Sequence, residues 1–77
     1  MIINIKYFGQ IAEVTQQEEE HFECSKKLVS ELVESLYDKY PDLKNKDFKI
    51  AQNKELVSFD AELTGLEIAL LPPFSGG

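Results

Sequence analysis

The chain has 77 residues, 43% of them hydrophobic and 29% charged, the composition of one globular domain with a single modest core. A domain of this size buries little more than ~60% of the surface its unfolded chain exposes, which leaves no second lobe to close a cleft and argues against an enzyme active on its own. Fourteen Asp and Glu against eight Lys, with no Arg, give a net charge of −6, the wrong sign for tracking nucleic acid or an anionic membrane.

Cys24 is the one cysteine, so an internal disulfide and a thiolate cluster for a structural metal are both excluded. No apolar run approaches the ~20 residues needed to span a bilayer, and the first stretch lacks the features of a signal peptide. The expected location is cytoplasmic.

From Ile2 to Phe8 the residues are β-branched and aromatic with near period-2 patterning, which predicts an opening strand with Ile3, Ile5 and Tyr7 on one face. Gly9 breaks it, Gln10 to Val14 form a short helical turn, and Thr15 to Glu23 read as a polar, solvent-facing strand anchored by Phe22. The run Glu18-Glu19-Glu20 belongs to a solvated acidic face, since nothing apolar surrounds it to raise a pKa. Ser25 reads as the N-cap of the principal helix, because Leu28, Val29, Leu32, Val33, Leu36, Tyr37 and Tyr40 follow at helical spacing. Pro41 ends that helix, and Asp42 to Asp47 make a polar loop. Two short strands, Phe48 to Gln52 and Glu55 to Phe59, flank a turn at Asn53-Lys54. Gly65 marks a further turn, and Glu67 to Leu71 form the last strand with Ile68 and Leu70 on one face.

This order implies an α+β fold: one mixed sheet, with one main helix packed on one face. Side by side and parallel at the centre, the apolar first and last strands would make a ubiquitin-like β-grasp. Residues 1–71 are then the domain, and 72–77 a flexible tail ending in Gly-Gly. The same parity turns Phe8 and Leu71, with Leu56, away from the core toward an open face near the tail, where they are candidate partner-binding residues.

Chemistry-bearing clusters are scarce. His21 and Cys24 are three apart, which on a strand points them to opposite faces, and two ligands do not fill a tetrahedral metal site. No metal site is expected. There is no nucleophile elbow, no Gly-rich phosphate loop and no second His. The tail is different. A carboxylate on Gly77, behind Gly76, has no side chain for two residues and fits a channel too narrow for any Cβ. From Pro72 the tail Pro73, Phe74, Ser75, Gly76, Gly77 reaches at most ~20 Å, and the prolines reduce the entropy lost when it threads into a partner.

The segment Ile50 to Val57, then Leu63-Thr64-Gly65 and Glu67 to Gly77, resembles the C-terminal half of the molybdopterin synthase small subunit family. The opening Tyr7 to Val14 resembles that family too. The resemblance implies a β-grasp sulfur carrier, not catalytic alone, that binds no cofactor of its own. An adenylating enzyme would use ATP to activate Gly77, a sulfur donor would convert it to a thiocarboxylate, and the carrier would dock on the large synthase subunit in a heterotetramer of two small and two large subunits. There its sulfur would attack cyclic pyranopterin monophosphate to build the molybdopterin dithiolene. Three alternatives stay open: a thiamine-pathway sulfur carrier, against which Pro72-Pro73 argues, a ubiquitin-like protein modifier, and a non-covalent β-grasp interaction module.

Overall fold

A computed structural model describes residues 2–64 and 66–73. The chain runs β1 (Ile2–Tyr7), α1 (Gln10–Thr15), β2 (Glu19–Glu23), α2 (Val29–Lys39), a 3₁₀ helix (Pro41–Asn45), β3 (Lys49–Gln52), β4 (Glu55–Val57) and β5 (Glu67–Leu71). The five strands form one sheet in the order β2-β1-β5-β3-β4. β1 and β5 are parallel neighbours, with Ile5 opposite Ile68 and Tyr7 opposite Leu70, and every other pairing is antiparallel. The expected mixed, ubiquitin-like sheet with its parallel first and last strands is therefore present.

Period-2 alternation carries Ile3, Ile5, Ile68, Leu70 and Ile50 to one face, where each is at most 1% exposed. The buried stripe of α2, made of Val29, Leu32, Val33 and Leu36, covers them. Ile11 from α1 and Leu43 from the 3₁₀ helix close the end of this core. The segment expected as the polar loop Asp42 to Asp47 therefore opens with an ordered turn, because Leu43 is drawn inward and the geometry before Pro41 forbids continuing α2.

The helix α2 begins later than Ser25. Leu28 occupies the cap position, and the Glu31 carboxylate accepts hydrogen bonds from the backbone N–H groups of Lys27 and Leu28 at 3.1 and 3.0 Å. Two further N–H groups, of Val29 and Ser30, donate to the carbonyls of Ala61 and Phe59 at 2.9 and 2.7 Å. The orphan donors of the helix are satisfied by the loop after β4, so a hydroxyl cap is unnecessary. Gln52, buried on β3, ties the same loop down: its amide donates to the Glu62 carbonyl at 3.1 Å and accepts from the Thr64 N–H at 2.9 Å. The turn expected at Gly65 lies outside the described residues.

The second strand is shorter than Thr15 to Glu23, and its acidic face is not wholly solvated. Thr15 ends α1, its hydroxyl donating back to the Ile11 carbonyl at 3.2 Å. Glu20 is only 8% exposed. Its carboxylate accepts from the hydroxyls of Tyr7 and Tyr40 at 2.6 and 2.8 Å, from the Gln17 amide at 3.1 Å, and from the Lys39 ammonium. Burial alone would raise its pKa, but the hydrogen bonds from Lys39, Tyr7 and Tyr40 outweigh it and hold the carboxyl below the ordinary glutamate range. Burial, with the ionised Glu20 beside it, pushes the Tyr7 phenol far up, so it remains a donor. One carboxylate thus joins β1, β2 and the end of α2.

A group whose pKa is lower folded than unfolded stabilises the fold above its unfolded value, and that contribution fades as pH falls through the folded value. Glu20→Gln should cost about 1–3 kcal/mol at neutral pH, and the gap from wild type should close on acidification below the glutamate range. Urea unfolding across that range measures both. By the same method Ile5→Ala should cost roughly 2–5 kcal/mol at every pH, since it removes packing and no charge.

Candidate functional site: the open sheet face at the root of the tail

The face of the sheet opposite α2 has no layer over it among the described residues. Residues directly opposite in register share a face, so Lys6, Ala69, Ala51 and Leu56 form one row across β1, β5, β3 and β4. Phe8 and Leu71 follow one step further along β1 and β5, and the Phe8 N–H donates to the Leu70 carbonyl at 3.2 Å. Phe8 is 43% and Leu56 62% exposed, while Leu71 is half-buried.

The centre of this face is low because its middle strands carry alanines. Ala51 and Ala69 lie in a trough of about 290 Å³, with Phe8 and Leu71 at one end and Lys6 and Lys54 at its edge. Phe8 and Leu71 are brought together here. Leu56 shares the face beside Ala51 but is not part of the trough lining. The sequence reading missed Ala51, Ala69, Lys6 and Lys54; the parity that selected Phe8 and Leu71 also selects Lys6 and Ala69, whereas Ala51 belongs to β3 and Lys54 to the turn that follows it. Small or charged residues simply carry no sign of being a floor or a rim.

The chain leaves the sheet at this same end. Pro72 is half-buried and Pro73 exposed. Gly9, with φ 58° and ψ −132°, adopts a backbone conformation open to glycine, and a Cβ placed on it would lie 3.0 Å from Pro72 Cγ. The ring of Pro72 therefore rests on the bend that joins β1 to α1. Phe74, Ser75, Gly76 and Gly77, expected to thread into a partner, lie outside the described residues.

Charge around the trough is mixed. Lys6 pairs with Glu67 at 3.4 Å, both partly exposed, which contributes little to stability. His21, opposite Asn4, is exposed on the open face, whereas Cys24 is buried and its Sγ accepts from the Lys26 N–H at 3.4 Å. Among the described residues no three His, Cys, Asp or Glu side chains are grouped to hold a metal, and no helix is long and apolar enough to cross a membrane.

The chain is similar to a Pyrococcus furiosus protein described as molybdopterin converting factor, subunit 1. The two are 26% identical, the match covers 96% of this chain and 99% of that one, and the TM-score is 0.86. Small archaeal modifier protein 1 of Methanosarcina acetivorans is also 26% identical, with 99% and 96% of the two chains covered and a TM-score of 0.78. The Haloferax volcanii protein SAMP1 matches over 100% of both chains with a TM-score of 0.80, and at 22% identity that likeness shows the fold alone. The ThiS family model matches residues 5–77, so the chain belongs to the ThiS family, and its fold is the ubiquitin-like β-grasp of the solved structures it resembles.

Proposed function

We propose that this protein is the sulfur carrier subunit of a molybdopterin synthase, with residues 1–71 as its docking domain and 72–77 as the reactive tail. The observation that carries the reading is the convergence of the apolar trough and the Pro72-Pro73 exit at one end of the sheet, ahead of Gly76-Gly77. A tail that must enter another protein needs a surface at its root to hold that protein, and exposed apolar patches of this kind mark docking sites. The similarity to the Pyrococcus furiosus protein supports the choice of pathway.

In this cycle the Gly77 carboxylate attacks the α-phosphate of ATP on an adenylating enzyme and releases pyrophosphate. A sulfide-equivalent donor then displaces AMP and leaves a thiocarboxylate on Gly77. A carboxylate is a poor electrophile until its oxygen becomes a good leaving group, whereas the thiocarboxylate sulfur is a polarisable nucleophile on a simple acyl bond. Covalent carriage divides a difficult sulfur insertion into easier steps. The carrier then docks Phe8, Leu71 and Leu56 against the large synthase subunit, one of two in the heterotetramer, and delivers sulfur to cyclic pyranopterin monophosphate. The acids and bases belong to the partners.

A second reading, a ubiquitin-like modifier joined through Gly77 to lysine, is favoured by the likeness to the Methanosarcina acetivorans modifier protein. Intact mass spectrometry after incubation with ATP, the adenylating enzyme and a sulfur source separates the two. The carrier gains the mass of one oxygen-to-sulfur exchange, whereas the modifier yields conjugates of higher mass in a cell lysate.

Deletion of Gly77, or Gly76→Val, should abolish sulfur transfer and leave thermal unfolding unchanged, because a Cβ at residue 76 clashes in a channel shaped for glycine. Full transfer in either variant would refute the carrier mechanism. Phe8→Ala and Leu71→Ala should each weaken binding to the large subunit by on the order of 1–3 kcal/mol. Isothermal titration calorimetry measures that loss, and denaturant unfolding of the same variants should show little change.

A further inference from the structure

Asn53 and Lys54 join β3 to β4 as a two-residue loop between the paired residues Gln52 and Glu55. Both have positive φ, 52° and 71°, the signature of a type I′ hairpin turn. Asparagine suits the first position. The second is ordinarily glycine, because any Cβ in left-handed geometry crowds the adjoining backbone. A lysine there makes the hairpin less stable than glycine would, and residues held in such conformations are concentrated at functional sites.

The position of this lysine supplies the reason for keeping it. Lys54 lines the trough on the open face, at the end away from Leu71 and the tail root. The other lysine of the trough, Lys6, already has Glu67 as its partner at 3.4 Å. Among the described residues the Lys54 ammonium has no ion-pair or hydrogen-bond partner, as is also true of Lys26, Lys27, Lys46 and Lys49, but Lys54 alone of these lines the trough. An uncommitted cation therefore stands on the rim of an apolar trough floored by Ala51 and Ala69.

We propose that Lys54 is a specificity-determining contact, whose ammonium pairs with an Asp or Glu of the large synthase subunit when that subunit docks on this face with an apolar side chain in the trough. The inference rests on the docking role proposed above and adds the chemistry of the partner: an apolar knob with a carboxylate beside it. A rim charge of this kind chiefly steers association and rejects partners of the wrong sign.

The test uses the full-length protein and, as probes, the large subunit of molybdopterin synthase and the adenylating enzyme from the same cell. Lys54→Gly should shift stability and binding in opposite directions. The midpoint of urea unfolding should rise with an unchanged slope, while affinity for the large subunit falls roughly twofold to tenfold at low ionic strength. That loss should shrink as salt is added. Lys54→Arg should retain the affinity, and Lys54→Glu should lose more than Lys54→Gly through repulsion. A Lys54→Gly variant that binds the large subunit as wild type does would overturn the proposal, whether or not it binds the adenylating enzyme more weakly. Wild-type protein that does not bind the large subunit would instead overturn the docking role itself, and this inference with it.

Discussion

The parallel pairing of β1 with β5 is the constraint on which the rest of the molecule depends. Parallel neighbours cannot be joined by a hairpin, so everything between Tyr7 and Glu67 must leave the sheet centre and return. That excursion supplies α2 to cover one face and β3 and β4 to widen the sheet. Because the two strands run in the same direction, their ends emerge together. Phe8 and Leu71 become neighbours, and Pro72 falls against Gly9. The first and last parts of the chain thus build one surface.

Buried polar groups hold this arrangement in place. Glu20 gathers hydroxyls from β1 and from the residue that ends α2, so the helix is fixed to the strand whose next residue is Phe8. Gln52 does similar work on the other side, holding the loop that satisfies the start of α2. Each group is satisfied on several sides, which offsets the cost of taking it out of water. The open face uses no such network. Its shape follows from Ala51 and Ala69, side chains too short to fill the space between Phe8, Leu71 and the lysines.

The strands were legible in the sequence because period-2 patterning of large apolar residues reports directly on a sheet with one covered face. Ile3, Ile5, Ile68 and Leu70 all lie on the face that their parity assigns. Other features depended on tertiary partners that a local reading cannot supply. Glu20 sits in an acidic run and looks solvated until Tyr7, Lys39 and Tyr40 are known to surround it. Ser25 has a better intrinsic cap propensity than Leu28, yet the carbonyls of Phe59 and Ala61 make that propensity irrelevant. The segment after Pro41 is polar except for Leu43, and that single side chain is enough to order it. Of the open-face residues, the large apolar ones were visible by parity, whereas alanines and lysines became meaningful only once the rows across the sheet were known.

The proposed carrier role requires that the body of the protein be held while its tail works elsewhere, and the open face is the surface proposed to do the holding. An NMR titration of labelled protein with the large synthase subunit tests this most directly. The account predicts perturbation concentrated at Phe8, Ala51, Ala69, Leu71 and Lys54, with the exposed side of α2 at Glu31, Glu34 and Asp38 unaffected. Perturbation centred on that helix, with the open face silent, would contradict it.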